Sequence, residues 1–258
     1  MNLIDMGVLS EKRRDILLLI QKKQGSFEEI AALLDISPIS LKIQIKKLLD
    51  SGLLEEERGE YKLSDMAVPI VENLKELIDL LAFFERNIDY WKKHDLNPIP
   101  DFLLRRLEEL DQFELIEPDE AHIFEIPQRV MKNLRISEEI FAFFSCMHPE
   151  IPSLYSEFAR KGMKLTLCVT EPVAERLLKN CPVEMKTLLG AENTKIFVCS
   201  RDVNLPAFVV TERFMAIELS QNNGRLDGQL ITCTGDRALY WGRELYKYYE
   251  EASEPLRG

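Results

Sequence analysis

Three lysines and an arginine in the first quarter of the chain have the types and spacing suited to phosphate groups. Lys42, Lys46 and Lys47 recur at helical intervals, and Arg58 precedes a glycine between two short strand-like runs. Lysine and arginine side chains neutralise nucleic-acid phosphates and supply affinity that does not depend on base sequence. These four side chains are therefore predicted to contact DNA phosphates.

Shorter side chains lie near the start of the same helical face. Pro38, Ile39, Ser40 and Ile43 lie where a recognition helix presents its first residues to the major groove. Ser40 offers a hydroxyl to base edges, and Ile43 offers methyl groups that fit those of thymine. We expect this face to form a double-stranded DNA interface together with the four basic residues.

The segment 26–64 contains the start and stop signals of the elements that would position this face. Ser26 and Glu29 have the spacing of a capping box, which fixes the start of a first helix. Pro38 suits the first turn of a second helix, Gly52 suits its end, and two short strand-like runs follow. This order of helix, turn, helix and hairpin is typical of a winged helix-turn-helix.

Acidic residues in the predicted hairpin argue against DNA contact on that side. Four of them lie within six positions: Glu55, Glu56, Glu57 and Glu60. They would repel phosphates unless they face solvent or a partner subunit. The alternative is a winged helix that has lost DNA binding and serves as a protein-docking module.

The charge distribution separates a nearly neutral start from an acidic remainder. The net charge is −11 over 258 residues, yet residues 1–64 contain 10 Lys or Arg and 11 Asp or Glu, a net of −1. The hydrophobic content of 46% supports a full core. Because the sequence has neither a bilayer-length apolar run nor a signal pattern, we expect a cytoplasmic protein without a membrane partner.

Neither the cysteines nor the histidines indicate a metal site or an active site. The five cysteines contain no CxxC pair, and the three histidines lie far apart in the sequence. The sequence also has no nucleophile elbow, no P-loop and no GxGxxG after a strand. It therefore predicts no enzyme, no metal and no cofactor.

A long amphipathic helix is predicted over about residues 66–94. Its apolar residues are separated by alternating intervals of four and three: Ile70, Leu74, Leu77, Leu81, Phe84, Ile88 and Trp91. Such a series is typical of a coiled-coil seam, and DNA readers of this kind commonly bind two half-sites as dimers. We expect a homodimer interface here; packing against the helix's own domain is the alternative.

From about residue 119 the pattern changes to alternating strands and helices. Apolar runs at 140–146, 164–170 and 195–199 indicate parallel strands, and later runs add antiparallel ones. The predicted fold class combines α+β and α/β parts, with a winged helix-turn-helix, a long linker helix and an α/β sensor-like domain with a mixed sheet. The predicted domains are 1–65, 66–118 and 119–258.

Polar residues at the predicted carboxyl ends of the strands are candidates for binding a small-molecule effector. Ser145, His148, Thr170 and Arg201 follow the three parallel strands, where ligands of open α/β sheets bind. Arg201 is suited to a carboxylate or phosphate, and Trp241 is a candidate wall of the pocket. The alternative is that Ser145 and Thr170 cap helices and Arg201 is a solvated charge.

Two segments carry a resemblance to a known family. They are YWKKHDLNPIPDFLLRRLEELDQFELIEPD at 90–119 and ALYWGRELYKYYEEAS at 238–253. With the preceding winged helix, the chain resembles the archaeal methanogenesis and filament-formation transcription regulators, which pair an ArsR-like winged helix with a FilR-type regulatory domain. The resemblance implies a transcription regulator, but neither a known effector nor catalytic residues.

The last domain also resembles, more distantly, the phospholipase D-type sensor domains of sugar-responsive archaeal regulators. The HxK motif that the phospholipase D enzymes need is missing from this sequence. This likeness therefore implies no catalysis.

Overall fold

The computed structural model shows a chain that divides into two compact units, Met1–Ala82 and Phe83–Gly258. The structure describes residue 3 and residues 10–118, 126–146 and 148–256. Residue 119, where the third domain is predicted to begin, lies outside these ranges.

The first unit combines helices with a small antiparallel sheet. Its first three described helices are α1 (Glu11–Lys22), α2 (Phe27–Leu34) and α3 (Pro38–Asp50). Its strands are β1 (Gly25–Ser26), β2 (Leu54–Glu57) and β3 (Glu60–Leu63), in the order β1-β3-β2. The helices and the hairpin follow the order that the sequence predicts for residues 26–64.

Local hydrogen bonds explain where α2 and α3 begin and end. The Ser26 hydroxyl accepts from the Glu29 N–H at 3.3 Å, and the Ser26 N–H donates to Glu29 Oε2 at 2.9 Å, so the predicted capping box is present. After α3, Gly52 has a φ of 73° and its N–H donates to the Leu49 carbonyl at 2.9 Å. A left-handed glycine at this position ends the helix at low conformational cost.

The inner face of α3 packs into the core of the first unit. Leu41 and Leu48 are fully buried and Ile45 is nearly so, at the four- and three-residue spacing that predicts an inward face. Ile16 and Ile30 from α1 and α2 are buried in the same cluster. This packing fixes which side of α3 remains open to solvent.

The predicted long helix is broken. Helix α4 (Ala67–Arg86) ends before Asn87, whose φ of −141° and ψ of 45° are not helical, and α5 (Ile88–Lys93) follows. The prediction of one continuous helix to residue 94 is therefore wrong at Asn87. Leu77 and Leu81 on α4 are 49% and 52% exposed.

The second unit is built on an eight-stranded mixed sheet. Its strands are β4 (Glu114–Ile116), β5 (Glu139–Phe144), β6 (Lys164–Thr170), β7 (Thr194–Cys199), β8 (Ala207–Thr211), β9 (Met215–Glu218), β10 (Leu230–Cys233) and β11 (Ser253–Pro255). Their order is β11-β7-β6-β5-β8-β9-β10-β4. The pairs β5–β6 and β6–β7 are parallel and the remaining pairs are antiparallel, as a mixed sheet requires.

Helices cover the two faces of this sheet. Beyond α5 they are α6 (Asp101–Leu104), α7 (Gln128–Arg135), α8 (Ile151–Arg160), α9 (Glu171–Asn180), α10 (Pro182–Gly190) and α11 (Asp236–Glu250). Helices α7 to α10 share one apolar cluster with Phe144 of β5. On the other face, Tyr249 of α11 stacks on Phe143 with ring centroids 4.4 Å apart.

Several boundaries differ from the sequence expectation. A single helix was expected over 171–189, but Cys181 separates α9 from α10. Helix α7 and the edge strands β4 and β11 were not predicted, because each is short and has few apolar residues. The three parallel strands lie within one or two residues of their predicted positions.

Replacing Gly242 with leucine is expected to destabilise the second unit. A Cβ at this position on α11 would lie 3.1 Å from Val210 Cγ2 and 3.2 Å from Met215 Sδ. Overpacking of this kind costs about 1–3 kcal/mol, so near-UV circular dichroism should report a lower Tm. The control is Gly190→Leu, because a Cβ there meets no atom within 4 Å. Equal losses in both variants would contradict the packing explanation.

Candidate functional site

The outer face of α3 lies on the surface of the first unit. Ile39 and Ile43 are 78% and 50% exposed. The other predicted contacts on this helix are all exposed except for half-buried Ser40: Pro38, Lys42, Lys46 and Lys47. The structure therefore brings these residues together on one solvent-facing surface.

Basic residues of α1 extend this surface. The Lys12 ammonium group donates to the Ser40 hydroxyl at 3.3 Å, and the Arg13 guanidinium donates to the Gln44 side-chain oxygen at 3.0 Å. Sequence reasoning did not assign Lys12 and Arg13 to the interface, although the basic run at 12–14 was a usable signal. The contacts place two more cations beside the predicted base-reading residues.

Arg58 occupies the tip of the hairpin between β2 and β3. Arg58 and Gly59 both have positive φ, 56° and 84°. Two such residues in a row form the type of tight turn that matches the twist of a two-stranded hairpin. The turn leaves the Arg58 side chain exposed at the end of the hairpin.

Lys62 reduces the negative charge of the acidic hairpin. Its ammonium group lies 3.0 Å from a Glu57 carboxylate oxygen and 3.4 Å from a Glu55 carboxylate oxygen. The hydrogen bond from Lys62 to Glu57 is the main reason why the pKa of Lys62 is raised. Because Lys62 offsets part of their charge, the field of these two carboxylates on a neighbouring phosphate is weaker than their number suggests.

Three of the predicted effector residues lie at the carboxyl ends of β5 and β6. Ser145 is half-buried, and its backbone N–H donates to the Leu205 carbonyl at 3.2 Å. His148 Nδ1 accepts from the Glu150 N–H at 3.3 Å, and its Nε2 is buried without a partner among the described residues. Thr170 precedes α9 without donating or accepting a side-chain cap. Ser145 and His148 therefore follow the carboxyl end of β5, and Thr170 lies at the carboxyl end of β6.

Arg201 and Trp241 make contacts that the sequence did not predict. The Arg201 guanidinium lies over the Tyr248 ring, 4.2 Å from its centroid. Trp241 is fully buried on the opposite face of the sheet, where its Nε1–H donates to the Leu103 carbonyl at 3.1 Å. The expectation that Trp241 walls a pocket at the strand ends is corrected, because its indole is enclosed by α11 and residues around Leu103.

A second group of titratable side chains lies where α5 meets the loop after β9. His94 is buried, its ring stacks on Tyr90 at 3.9 Å, and its Nε2 lies 3.3 Å from Asp227 Oδ1. Burial alone would raise the pKa of Asp227, but hydrogen bonds from Gln221, the Gln229 backbone and His94 outweigh it and lower the pKa. The pair His94–Asp227 was not predicted, because its members are 133 positions apart.

Glu218 on β9 lies close enough to Asp227 for their charges to interact. Burial and, to a smaller extent, the charge of Asp227 together raise the pKa of Glu218 to about 7. The folded state therefore favours the protonated carboxyl relative to the unfolded chain. The stability gained from the neutral form is complete below the ordinary pKa of 4.5 and is lost as pH rises through 7.

Glu218→Gln is expected to flatten the pH dependence of unfolding between about pH 5 and pH 8. The wild-type free energy of unfolding should fall across this window by up to about 3 kcal/mol, because one pKa unit corresponds to about 1.4 kcal/mol. The control is Glu192→Gln, since Glu192 is exposed. Chemical denaturation at several pH values measures the slopes. The same slope in wild type and Glu218→Gln would contradict the role of Glu218.

No three or more His, Cys, Asp or Glu side chains of the described ranges are arranged to hold a metal ion. Within the same part of the chain, no helix is both long and apolar enough to cross a membrane.

The fold and the candidate site together define a chain with a small helix-hairpin unit and an α/β unit with a mixed sheet. The family model described as "Methanogenesis regulatory protein FilR1, middle domain" matches residues 123–252, half of the chain, and the chain belongs to this family. The methanogenesis regulatory protein FilR1 of Methanothrix harundinacea (strain 6Ac) is 27% identical over 252 residues. That match covers 96% of this chain and 56% of the relative, so the chain spans about half the relative's length.

Two solved structures are similar to this chain at a low level. TrmBL2, described as an archaeal chromatin protein with a novel mode of DNA binding, has a TM-score of 0.46 and 12% identity, covering 98% of this chain and 97% of TrmBL2. The phospholipase D family member Nuc from Salmonella typhimurium has a TM-score of 0.38 and 8% identity, covering 57% of this chain and 97% of Nuc. Likenesses at this level carry no argument about what this chain binds.

Proposed function

We propose that this protein is a sequence-specific DNA-binding transcription regulator whose first unit is a winged helix-turn-helix. The observation that carries the proposal is the exposed outer face of α3, which presents Ile43 together with Lys42, Lys46 and Lys47. In this assignment α3 enters the major groove and Arg58 reaches a phosphate or the minor groove. The regulatory role follows the name of the relative FilR1.

The base-reading part of the proposal depends on the first two turns of α3. Ser40 is half-buried, and its hydroxyl accepts a hydrogen bond from the Lys12 ammonium group. In this proposal the positive charge of Lys12 therefore lies beside any base that Ser40 contacts. Ile39 and Ile43 expose methyl groups that fit thymine C5-methyl groups. Pro38 lies at the N-terminal end, where its missing N–H leaves no donor to satisfy.

We further propose that the regulator acts as a homodimer through α4. Leu77 and Leu81 lie four residues apart on one side of this helix and are about half exposed. Burying such side chains in a coiled-coil seam contributes about 0.8 kcal/mol per buried methylene group. A dimer also supplies two readers for two half-sites, which compensates for the nearly neutral net charge of each reader.

In the same proposal, residues 1–65 read DNA, residues 66–118 link and dimerise, and residues 119–258 bind an effector or partner. The protein would act in the cytoplasm. The acidic excess of the remainder, 33 Asp or Glu against 23 Lys or Arg outside residues 1–64, opposes non-specific contact with DNA. Ser145, His148, Thr170 and Arg201 remain candidate effector contacts.

A second candidate function is protein docking by the first unit without DNA binding. The observation that favours it is the exposure of large apolar side chains on α2 and α3: Leu33 is 66% exposed, Ile39 78% and Ile43 50%. Exposed apolar groups of this kind are common at protein interfaces. The two candidates differ in salt dependence, since counterion release accompanies only contact with phosphates.

Replacing Lys42, Lys46 and Lys47 with alanine is expected to weaken binding to the protein's promoter DNA. Each lost phosphate contact should reduce the slope of log K against log salt by about 0.9, because fewer counterions are released. Fluorescence anisotropy with labelled duplexes over a series of salt concentrations measures both the affinity and the slope.

The matched control removes three exposed lysines of the second unit, Lys179, Lys186 and Lys195. It changes the net charge equally, so a specific role of α3 predicts a much smaller effect on slope. Promoter binding that is unchanged in the α3 variant would contradict DNA contact by this face and would favour the docking function.

Leu77→Glu combined with Leu81→Glu is expected to yield monomers. Facing carboxylates would repel each other across the seam and would lose the apolar contact. Sedimentation equilibrium of the full chain measures the oligomeric state. The control Ala82→Glu adds a charge to an exposed position of the same helix, away from the seam, and should leave the dimer intact. A dimer that persists in the double variant would place the interface elsewhere.

A further inference from the structure

The side chain of Gln44 on α3 is held by a cation of α1. The Arg13 guanidinium donates to the Gln44 side-chain oxygen at 3.0 Å, across a contact that is partly buried. Because a guanidinium has only N–H donors, the amide must turn its oxygen, and not its NH2 group, toward Arg13. The contact therefore fixes the orientation of the Gln44 amide and directs its NH2 group away from α1.

Gln44 lies on the flank of α3 that borders the proposed DNA-reading face. Ser40, Gln44 and Lys47 are separated by four and three positions, so they form one row along the helix. Ser40 and Gln44 are half-buried, and Lys47 is exposed. Helix α1 runs beside this row, since Lys12 donates to the Ser40 hydroxyl at 3.3 Å, one turn of α3 before the contact with Arg13. Residues in the first turns of a recognition helix are those that contact base edges.

The orientation of the amide determines which base Gln44 is able to pair with. A glutamine with a free amide commonly forms two hydrogen bonds with adenine, accepting from N6 and donating to N7. An amide oxygen can accept two hydrogen bonds, but the positive guanidinium on one side of the Gln44 oxygen repels a second donor such as the N6 amino group. Guanine instead presents two acceptors, O6 and N7, in the major groove. The outward NH2 group of Gln44 therefore matches guanine better than adenine.

We propose that Gln44 reads guanine in the major groove and that Arg13 is the positioning residue that makes it reject adenine. The inference rests on the proposed DNA-binding function and adds to it the base that one side chain selects. The alternative role of the contact between Arg13 and Gln44 is to join α1 to α3 without any effect on base reading. The two roles differ in one measurable property, because only the first makes the base preference depend on Arg13.

Selection from a library of DNA duplexes with a randomised centre, by the full chain, tests the inference. The position that Gln44 reads is the one whose base preference is lost in Gln44→Ala. At this position the wild type is expected to select guanine and to bind the guanine duplex at least about fivefold more tightly than the adenine duplex, the lower limit for a good base contact. Fluorescence anisotropy with duplexes that differ only at this base pair measures the ratio.

Arg13→Met removes the N–H donors and the charge but keeps a long side chain, so the Gln44 amide becomes free to turn. The preference at this position should then shift toward adenine. Arg13→Lys still offers a donor to the Gln44 oxygen and should retain guanine. The matched control Arg14→Met removes the same charge from the next residue of α1, whose guanidinium lies 3.6 Å from an Asp15 carboxylate oxygen, and should also select guanine.

The inference is overturned if the wild type prefers adenine at the position that Gln44 reads, if Gln44→Ala changes no base preference, or if Arg13→Met selects the same base as Arg14→Met. The first two comparisons need no Arg13 variant, so they decide the case if Arg13→Met does not fold. In all three outcomes the protein still binds duplex DNA, and the proposed function stands. A wild type that enriches no sequence and binds no duplex contradicts the proposed function as well.

Discussion

Strand β5 must be covered on both faces, and the second unit is arranged around that requirement. Its sequence EIFAFF places Ile140 and Phe144 against α7 to α10, while Phe143 stacks on Tyr249 of α11. Burying one such aromatic side chain contributes about 1.5–3 kcal/mol relative to its exposure. Because no single helical layer can cover both faces, the chain supplies helices on each side of the sheet.

This double coverage gives the two faces different properties. On the α11 face, Gly242 allows close approach to Val210 and Met215, and Trp241 has its indole N–H hydrogen-bonded, so little space remains. The face beneath α8 to α10 contains a narrow apolar cavity that Tyr155, Leu177 and Met185 help to line.

Sequence reasoning was accurate where one physical signal dominated. The Ser26–Glu29 capping box and Pro38 fixed the helices of the first unit, and continuous apolar runs located β5, β6 and β7. It was less accurate where the signal is weak or non-local. Helix α7 has only eight residues, with Val130 and Leu134 buried four positions apart, so its amphipathic pattern extends over barely two turns.

The candidate sites also divide into those with a strong local sequence signal and those that depend on distant contacts. The outer face of α3 could be predicted because helical spacing alone separates it from the buried face. The contacts of Lys12 and Arg13 with that helix, the pair His94–Asp227 and the burial of Trp241 all depend on tertiary packing between residues distant in sequence. Local periodicity contains no information about such contacts.

The central claim is that the outer face of α3 meets duplex DNA. Its most direct test is a titration of isotope-labelled protein with a promoter duplex, followed by backbone amide chemical shifts. If this face contacts DNA, the largest shifts should occur in residues 38–47 and around Arg58, and they should decrease as salt is added. Shifts confined to the second unit, or shifts around α3 that appear only with a protein partner, would contradict it.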